Sequence, residues 1–525
     1  MTLTITGRRG ALAATTALTS VLLLLTPGAS SVSAAGIFPE VPGWSKLETQ
    51  YEQLDPGVEL FRYRETAPAA LRADMPPREM NVLRVDPAVS AVRIESAYGR
   101  QAGKAEKVVD QLNQYAAAQR PLAGINGSYF TPEGTHHARP DTPESVQTFG
   151  TVAHDGVLLG AACASGKRRS LILQHGIPYV TTLATDLSVT GSVPPSGGGS
   201  AMHKIDDINR NPGGAMTCAR DDEDGIGDQR EKDLSDGIRD GYHYVEVDGV
   251  RERVKAEPGI TYKDGGKSVT VLQDPAEIIL FNDRYGMVTP APGMNPKIGS
   301  DNQAGFEVLV DADGTLTRPA DWTTRGGHLV PRGKHILQAI GTGPTAWLKG
   351  MFDAKAKLTI DQKVTDLDDD NRAIALDESV DILSGGHLLM RDGVFYAPRS
   401  CSSHRTEGTG ADAICRDSRT TLGVDDQGRT VIVTITGPRV EPTDEQLAKA
   451  QYDGAFIDEA AIVLQGLKVQ DAINLDGGGS TTLLTYDASD SDNYKRHTGL
   501  TDLKHRPVFD SVYVGVGGLA VTPGS

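Results

Sequence analysis

Near its C-terminal end the chain contains the stretch Ala472-Ile473-Asn474-Leu475-Asp476-Gly477-Gly478-Gly479-Ser480-Thr481-Thr482. The apolar residues before Asp476 predict a short strand that ends at a carboxylate. The three glycines that follow allow a sharp turn and a close approach of the backbone to a ligand, because glycine has no Cβ atom. Successive backbone N–H groups in such a turn can bind an anion. A carboxylate beside an anion-binding loop indicates chemistry on a charged, oxygen-rich substrate.

Two other interpretations of this stretch compete with an anion-binding loop. An ordinary glycine-rich hairpin would contain the same residues, and the sequence leaves that alternative open. A nucleotide-binding P-loop is excluded, because it requires Gly-Lys-Ser/Thr at the start of a helix. The loop here has no lysine, and residues 482–486 favour a strand.

The composition and the apolar patterns favour a strand-rich protein. The chain has 525 residues and 59 glycines, and this glycine share is well above the usual value of about 7%. Alternating apolar segments at residues 58–63, 81–87 and 430–435 predict strands. Helical apolar stripes predict helices over residues 107–119 and 457–467. We therefore predict an α+β fold dominated by strands in mixed sheets, with a few packed helices.

The N-terminus has the features of a secretion signal. Arg8 and Arg9 form a charged region, residues 11–25 an apolar stretch and residues 32–34 a small-residue cleavage site. The apolar stretch, at about 15 residues, is short for a membrane span, which needs roughly 20. We expect residues 1–35 to be a signal peptide and the mature protein to be secreted without a membrane span. The paired arginines leave the twin-arginine route open.

We divide the remainder into four parts. An N-terminal strand segment is expected at residues 36–80, followed by the main domain at residues 81–518. The main domain carries a polar insertion near residues 190–275, and residues 519–525 form a tail. We find no internal repeat.

The chain is acidic, with a formal net charge of −17 that becomes −19 when Arg8 and Arg9 leave with the signal. This charge disfavours nucleic acid as a partner, because nucleic-acid binding depends on basic surfaces. A site for an anionic substrate must therefore be locally basic or built from backbone donors.

The four cysteines of an exported chain suggest two disulfides. We favour Cys163 with Cys218 and Cys401 with Cys415, since each pair encloses a polar, loop-like stretch, although four cysteines allow three connectivities. We predict no metal site from the acidic run 221–228, which lacks the final glutamate of a calcium-binding EF-hand loop. No cofactor is predicted, and a structural or catalytic divalent cation is left open, as is the oligomeric state.

Six blocks of this sequence, in the family's order, resemble the phosphodiester glycosidase family. They are Ile-Asn-Gly-Ser-Tyr-Phe at 125–130, Gly-Thr-Gly at 341–343, the segment 385–393, Ser-Arg-Thr-Thr-Leu-Gly-Val at 418–424, the segment 474–482 and His-Arg-Pro-Val at 505–508. The resemblance covers about residues 80–518. It implies an exported hydrolase that cleaves a glycosidic bond with a phosphodiester leaving group. The implied substrate is a sugar phosphate or a cell-wall glycopolymer.

The resemblance and the chemistry together predict the site residues. Asp476 is the predicted key carboxylate, as nucleophile, general base or electrostatic stabiliser. Arg419 is the predicted phosphate clamp, because a guanidinium group offers two donors to phosphate oxygens. The predicted substrate-binding residues are Asn126, Asn474, Gly477, Gly478, Gly479, Ser480, Thr481, Gly386 and Arg506. Among these, residues 477–480 would supply backbone donors, Thr481 its hydroxyl and Arg506 a second clamp.

Several alternatives stay open at this point. Asn126 would otherwise fill a turn that needs a positive φ angle, and Arg506 would cap an edge strand. A second carboxylate is expected from the usual paired-acid scheme, and the candidates are Glu133, Asp381, Glu407 and Asp417. The alternative function is a non-catalytic protein that binds carbohydrate or an anionic wall polymer. A phosphodiesterase that cuts P–O bonds would normally use a metal cluster.

Overall fold

Alternating apolar and polar residues form strands through most of the chain. The computed structural model describes residues 40–47, 51–66, 77–132, 146–148, 150–161, 167–210, 238–239, 242–247, 250–255, 261–264, 267–270, 277–292, 304–396, 417–437, 454–498 and 506–515. The predicted signal peptide, the tail and all four cysteines lie outside these residues. The prediction of a strand-dominated fold with few helices is confirmed.

The strands of the first half are β1 (Trp44–Lys46), β2 (Glu52–Asp55), β3 (Val58–Glu65), β4 (Glu79–Val85), β5 (Arg93–Tyr98), β6 (Ala123–Asn126), β7 (Phe130–Pro132), β8 (Val146–Thr148), β9 (Val152–His154), β10 (Val157–Gly160), β11 (Lys167–Gln174), β12 (Ile177–Gly191), β13 (Met202–Lys204), β14 (Asp207–Ile208), β15 (Ile238–Arg239), β16 (Tyr242–Val247), β17 (Val250–Lys255), β18 (Thr261–Asp264) and β19 (Lys267–Thr270). Those of the second half are β20 (Glu277–Asn282), β21 (Phe306–Val310), β22 (Leu316–Thr317), β23 (His335–Ile340), β24 (Leu358–Asp366), β25 (Arg372–Ile374), β26 (Val380–Ser384), β27 (Leu388–Arg391), β28 (Val394–Phe395), β29 (Arg419–Asp425), β30 (Thr430–Thr436), β31 (Val469–Asn474), β32 (Leu483–Tyr486), β33 (Tyr494–Arg496) and β34 (Asp510–Gly515). The helices are α1 (Val108–Leu112), α2 (Thr342–Asp353) and α3 (Ile457–Gly466), with 3-10 turns at Ala117–Gln119 and Gly478–Ser480.

Two sheets meet at the candidate site. The first has nine strands in the order β1-β3-β4-β30-β29-β31-β27-β28, with β2 paired to β3. The second has five strands in the order β33-β32-β6-β34-β5. The strands of the N-terminal segment, predicted at residues 36–80, pair through β3 and β4 with β30, so they are part of the same sheet as the main domain.

The remaining strands of the described residues form five further sheets. An eight-stranded sheet has the order β10-β9-β26-β11-β12-β24-β25, with β13 on β12. A second five-stranded sheet has the order β14-β20-β23-β21-β22, in which β14 and β20 are parallel. The small sheets are β15-β16-β17, β18-β19 and β7-β8.

Apolar side chains from three sheets share one core. Leu83 and Ile473 of the nine-stranded sheet pack in one cluster with Ile125 and Leu483 of the β33–β5 sheet and Leu383 of the eight-stranded sheet. Their burial is the dominant stabilising contribution, since transfer of apolar surface from water contributes roughly 25 cal/mol per Å². The same contacts hold the edges of the two site-forming sheets together.

The local predictions from residue 420 onward are largely confirmed. The hairpin of β29 and β30 turns at residues 425–428 as expected, and α3 occupies the predicted apolar stripe. The strand before Asp476 ends at Asn474, two residues earlier than predicted. Residues 483–486 form a strand after the glycines, as the pattern of residues 482–486 predicts.

One prediction needs correction, and two features of the structure were not predicted. The helix predicted over residues 107–119 ends at Leu112, because the side chains of Asn113 and Gln114 donate instead to the main-chain carbonyls of Asp492 and Tyr98, at 2.9 and 3.2 Å. The helix α2 has no counterpart in the prediction. The polar insertion near residues 190–275 contains strands β13 to β19, because short alternating segments such as residues 242–247 pair as hairpins. No helix in the described ranges is long and apolar enough to cross a bilayer.

Candidate active site

The glycine-rich segment, residues 475–482, is the connection between two sheets. Strand β31, which precedes it, belongs to the nine-stranded sheet, and β32, which follows it, pairs with β6 in the β33–β5 sheet. The backbone N–H of Asp476 donates to the carbonyl of Gly127, just after β6, at 3.0 Å. We call residues 475–482 the glycine loop. Asp476 is therefore fixed at the junction of both sheets, and its side chain is half-buried.

Arg419 lies beside this loop because β29 and β31 are antiparallel neighbours. Thr421 pairs with Asn474, so the start of β29 meets the end of β31. The N–H of Leu475 donates to the carbonyl of Thr420 at 2.9 Å. Arg419 itself is 2% exposed, and its Nε donates to the carbonyl of Ala455 at 2.8 Å. The predicted phosphate clamp is thus a buried cation beneath the loop.

Among the candidates for a second carboxylate that the structure describes, Asp417 is the one that reaches the glycine loop. A Cβ atom on Gly478 would lie 3.1 Å from both of its carboxylate oxygens, and the N–H of Ser418 donates to Oδ1 at 2.9 Å. Gly478 has a φ of +59°, a conformation that favours glycine. Residue 478 therefore has two reasons to lack a side chain, its backbone conformation and the carboxylate against it.

The other carboxylate candidates are placed differently. Both oxygens of Asp381 accept hydrogen bonds from backbone N–H groups, those of Ser96 and Asp155, each at 2.8 Å. Asp381 is buried and serves to hold these main-chain segments. Glu133 and Glu407 lie outside the described residues. Asp417 is the candidate that the described fold brings to the glycine loop.

Both carboxyl groups at the loop are shifted toward the protonated form. Burial raises the pKa of Asp417 to about 6, with Arg419 and the Ser418 N–H opposing the shift and the charge of Asp476 adding to it. Burial also raises the pKa of Asp476, opposed first by the charge of Arg506. The protonated form of both carboxyls is therefore favoured relative to a freely solvated aspartate, and perturbed carboxyls of this kind are typical of acid–base sites.

Arg506 is the solvent-exposed cation of the site. Its Nη1 would lie 3.5 Å from a Cβ atom on Gly479, and its guanidinium group lies 5.7 Å from the ring centroid of Phe130. Its charge acts on both Asp476 and Asp417. Of the two predicted clamps, Arg506 is exposed and Arg419 is buried, and the role of each in binding phosphate stays a prediction.

The backbone donors of the glycine loop are mostly used inside the protein, which corrects the expected anion cradle. The N–H groups of Gly477, Gly478 and Ser480 donate to the Asp476 carboxylate at 2.9 Å, the Ser418 carbonyl at 2.8 Å and the Gly477 carbonyl at 3.1 Å. Most of these N–H groups are occupied because residues 478–480 form a 3-10 turn that is hydrogen-bonded to Ser418, the residue before β29.

Donor capacity remains in the glycine loop, including at Gly479 and Thr481. The N–H of Gly479 makes no hydrogen bond within the described ranges, and it belongs to the residue that Arg506 approaches. The hydroxyl of Thr481, which is 3% exposed, also has no partner there. The loop therefore offers an anion one free N–H beside a cation, a smaller site than the sequence predicted.

The side chain of Asn126, in β6, connects that strand to β29 and to the glycine loop by hydrogen bonds. Its Nδ2 donates to the carbonyl of Asp476 at 2.6 Å, while its Oδ1 accepts from the Thr420 hydroxyl at 2.7 Å and from the Thr482 N–H at 3.1 Å. Asn126 is fully buried and is not among the residues with positive φ, so the alternative of a turn-filling asparagine is excluded. Its polar atoms orient the main chain of Asp476.

Asn474 and Gly386 form a second group of contacts at the end of β31. Asn474 is fully buried, and its Nδ2 donates to the carbonyl of Leu475 at 2.8 Å and to the hydroxyl of Tyr129 at 2.5 Å. The N–H of half-buried Gly386 donates to the carbonyl of Asn474 at 2.8 Å. Tyr129 was not predicted as a site residue, although it falls in the block at residues 125–130 that carries the family resemblance.

The described residues contain no group of three or more His, Cys, Asp or Glu side chains placed to hold a metal ion. The cysteines of the predicted disulfides, Cys163, Cys218, Cys401 and Cys415, lie outside the described ranges.

Comparison with known proteins supports the family resemblance for part of the chain. Residues 304–515 match the family model described as phosphodiester glycosidase, and this range includes Asp417, Arg419, Asp476 and Arg506. The predicted resemblance is confirmed over that range. No curated protein is similar to the chain at a significant level.

Three solved structures are similar to the fold. A protein of Burkholderia pseudomallei K96243 described as exported has a TM-score of 0.58 at 18% identity and covers 91% of this chain and 98% of its own. A hypothetical protein from Synechocystis has a TM-score of 0.47 at 14% identity over 87% of this chain and 62% of its own. The zebrafish N-acetylglucosamine-1-phosphodiester alpha-N-acetylglucosaminidase catalytic domain, auto-inhibited by its pro-peptide, has a TM-score of 0.32 at 11% identity over 90% of this chain and 88% of its own. The first of these indicates a shared fold, and the other two are too distant to carry a conclusion.

Proposed function

We propose that the protein is an exported glycosidase that hydrolyses a sugar-1-phosphodiester, with wall or capsular polymers as the substrate class. The match of residues 304–515 to phosphodiester glycosidases supports the reaction type. The observation that carries the proposal is the placement of two carboxyls with raised pKa values, Asp476 and Asp417, at one glycine loop beside exposed Arg506.

The proposed reaction breaks the bond between the anomeric carbon and the phosphate oxygen. The phosphate takes the electron pair of that bond and leaves as a weak base, so protonation of the leaving group contributes little. The larger requirement is to stabilise positive charge on the sugar and to position water. Asp476, held at the sheet junction, is the carboxylate that we assign to the sugar.

Asp417 and Arg506 take the remaining roles. Asp417, with a pKa of about 6, accepts the proton of the attacking water when it is ionised. The hydroxide portion of that water bonds to the anomeric carbon, and the proton leaves Asp417 for solvent. Arg506 and the N–H of Gly479 hold the departing phosphate. Arg419 stays beneath the loop as a fixed positive charge that opposes the protonation of Asp417.

The first experiment measures turnover and the position of bond cleavage. Purified protein would be assayed on p-nitrophenyl sugars and on sugar-phosphodiesters in water enriched in ¹⁸O. We expect release of an unlabelled phosphomonoester from a diester, with the label on the sugar, because the bond between the anomeric carbon and the phosphate oxygen breaks. Label on phosphate, or activity that EDTA abolishes, would instead support a phosphodiesterase.

Asp476→Asn tests the central carboxylate. We expect it to lower kcat by roughly a hundred- to ten-thousand-fold, the usual contribution of a positioned acid or base. Asp381→Asn is the matched control, since Asp381 binds main-chain N–H groups away from the loop and its loss should leave kcat of the folded protein unchanged. Unchanged turnover in Asp476→Asn contradicts the proposal. Saturable binding of a wall polymer by wild-type protein without product would support a binding protein.

A further inference from the structure

Tyr129 is held against the site by its main chain and by its ring. Its N–H donates to the carbonyl of Ser384 at 3.1 Å, and its side chain is half-buried. A Cβ atom on Gly386 would lie 2.8 Å from Cε2 and 3.1 Å from the hydroxyl oxygen of Tyr129. The ring therefore occupies the space that a side chain at residue 386 would need, which fixes the hydroxyl relative to the end of β31.

The hydrogen of the Tyr129 hydroxyl points away from Asn474. The carbonyl of Leu475 can only accept, so the contact at 2.8 Å requires the amide nitrogen of Asn474 on that side. The same nitrogen donates to the Tyr129 oxygen at 2.5 Å. Because the oxygen accepts this bond, its own hydrogen is left to donate elsewhere. No other hydrogen bond of this hydroxyl occurs within the described part of the chain.

The surroundings keep this hydroxyl neutral. Burial raises the pKa of Tyr129, the charge of Asp476 raises it further, and Arg419 opposes the shift while Asp417 adds to it. A tyrosine with a raised pKa remains a donor at neutral pH and is a poor nucleophile. Because the charges of Asp476 and Asp417 both raise the pKa of Tyr129, its hydroxyl lies within the electrostatic influence of both site carboxyls.

We infer that Tyr129 donates a hydrogen bond to a hydroxyl group of the substrate sugar rather than to its phosphate. A sugar hydroxyl can accept from Tyr129 and donate to a carboxylate at once, whereas a phosphate oxygen can only accept and would be repelled by Asp476 and Asp417. The phosphate lies instead at Arg506 and Gly479. The inference rests on the proposed function and assigns the sugar and the phosphate of its substrate to different groups of the site.

The test compares binding of a sugar 1-phosphate with binding of inorganic phosphate, both by calorimetry, in wild-type protein and Tyr129→Phe. Loss of one neutral hydrogen bond should weaken the sugar 1-phosphate roughly tenfold and leave inorganic phosphate unchanged. The ratio of the two affinities is insensitive to a partly unfolded sample, because both ligands report on the same folded fraction. Tyr486→Phe, the same change on β32, is the control and should alter neither.

Kinetics on monodeoxy sugars identify the hydroxyl. Wild type should discriminate against one deoxy position, and Tyr129→Phe should lose that discrimination while keeping the others. An unchanged ratio of sugar 1-phosphate to phosphate affinity in Tyr129→Phe would overturn the inference, as would equal weakening of both ligands. The proposed function fails separately, through absence of wild-type turnover on every diester, and the binding ratio tests Tyr129 even then.

Discussion

Asp417 sits in a half-buried position where its charged form is disfavoured, and this has a consequence for rate. Burial raises its pKa to about 6, so the proposed general base is lost by protonation as the pH falls through that value. We expect kcat/KM of wild type to rise with pH up to about 6 and then level. Asp417→Asn should be slow throughout and lack this rise. A wild-type profile that is flat between pH 4.5 and 8 would contradict the assignment.

The same shift predicts that Asp417 costs stability at neutral pH. A carboxyl whose pKa is higher in the folded state binds its proton more tightly when folded, so stability is present at low pH and is lost as the pH rises from about 4 through 6. Asp417→Asn has no such loss. At pH 8 it should exceed wild type by on the order of 2 kcal/mol in urea unfolding. This advantage should shrink as the pH is lowered toward 4.5, and an advantage independent of pH would indicate another cause.

Gly478 allows a comparison of two effects of one methyl group. Its φ is +59°, and a Cβ atom would lie 3.1 Å from the Asp417 oxygens. Gly428, in the turn between β29 and β30, has a φ of +76° and nothing within 4 Å of its Cβ position. Both alanine variants should lose about 1 kcal/mol of stability, the cost of the left-handed conformation.

Activity should separate these two glycine variants. Gly478→Ala displaces Asp417 and should lower kcat/KM, whereas Gly428→Ala should keep the wild-type value once folded. Equal activity in both variants would show that the Asp417 contact does not matter for the reaction.

At the scale of elements, Asn126 joins β6, β29 and the glycine loop through three hydrogen bonds. Asn126→Ala would leave buried partners unsatisfied, each at a cost of about 1–3 kcal/mol. We expect a loss of at least about 2 kcal/mol in urea unfolding and a large loss of activity, since the Asp476 main chain is released.

Asn113→Ala is the matched control for Asn126→Ala, because the side chain of Asn113 makes, within the described residues, only an exposed hydrogen bond to the Asp492 carbonyl and a long one from the Asn493 amide at 3.3 Å, which should contribute little. Similar stability losses in the two variants would mean that the hydrogen bonds of Asn126 do not stabilise the contact between β6, β29 and the glycine loop.

The elements that could be predicted from the sequence are those whose pattern is local. The alternation in residues 430–435 and the stripe from Ile457 to Leu467 each contain their own signal, and both appear as predicted. The end of α1 depends on carbonyls far along the chain, at Tyr98 and Asp492, which no local window contains. Tyr129 was missed for the same reason, since its partner Asn474 comes 345 residues later.

The roles of the two arginines also needed the assembled molecule. Arg419 and Arg506 are equivalent as residue types in the sequence, and the sequence favoured Arg419 as the phosphate clamp. The fold buries Arg419 against Ala455 and leaves Arg506 exposed beside Gly479. Accessibility is a property of the whole structure, so the order of the two could not be read from their neighbours in the chain.

At the scale of the whole molecule, a cluster of buried charges around Arg210 makes the fold sensitive to the loss of any one of them. Arg210 is 1% exposed and bonds Asp207 at 2.9 Å and Glu277, on neighbouring β20, at 2.5 Å. Removal of one partner leaves a buried charge uncompensated. Glu277→Gln should therefore lower the free energy of unfolding by about 3 kcal/mol, measured in urea.

The control for Glu277→Gln is the pair of Lys357 and Asp313, whose side chains are 60% exposed. Asp313→Asn should leave the urea midpoint unchanged, since exposed pairs contribute little. A Glu277→Gln protein as stable as wild type would show that Asp207 alone neutralises Arg210.

Asp476 lies where two sheets meet, and this position affects the order in which structure and activity recover after denaturation. Its carbonyl accepts a hydrogen bond from a side chain 350 positions away in sequence. The geometry of the site therefore exists only after the two sheets have packed against each other. Long-range closure of this kind is slow relative to local strand formation. During renaturation, circular dichroism should recover before catalysis does, and the lag between them would time the docking of one sheet on the other.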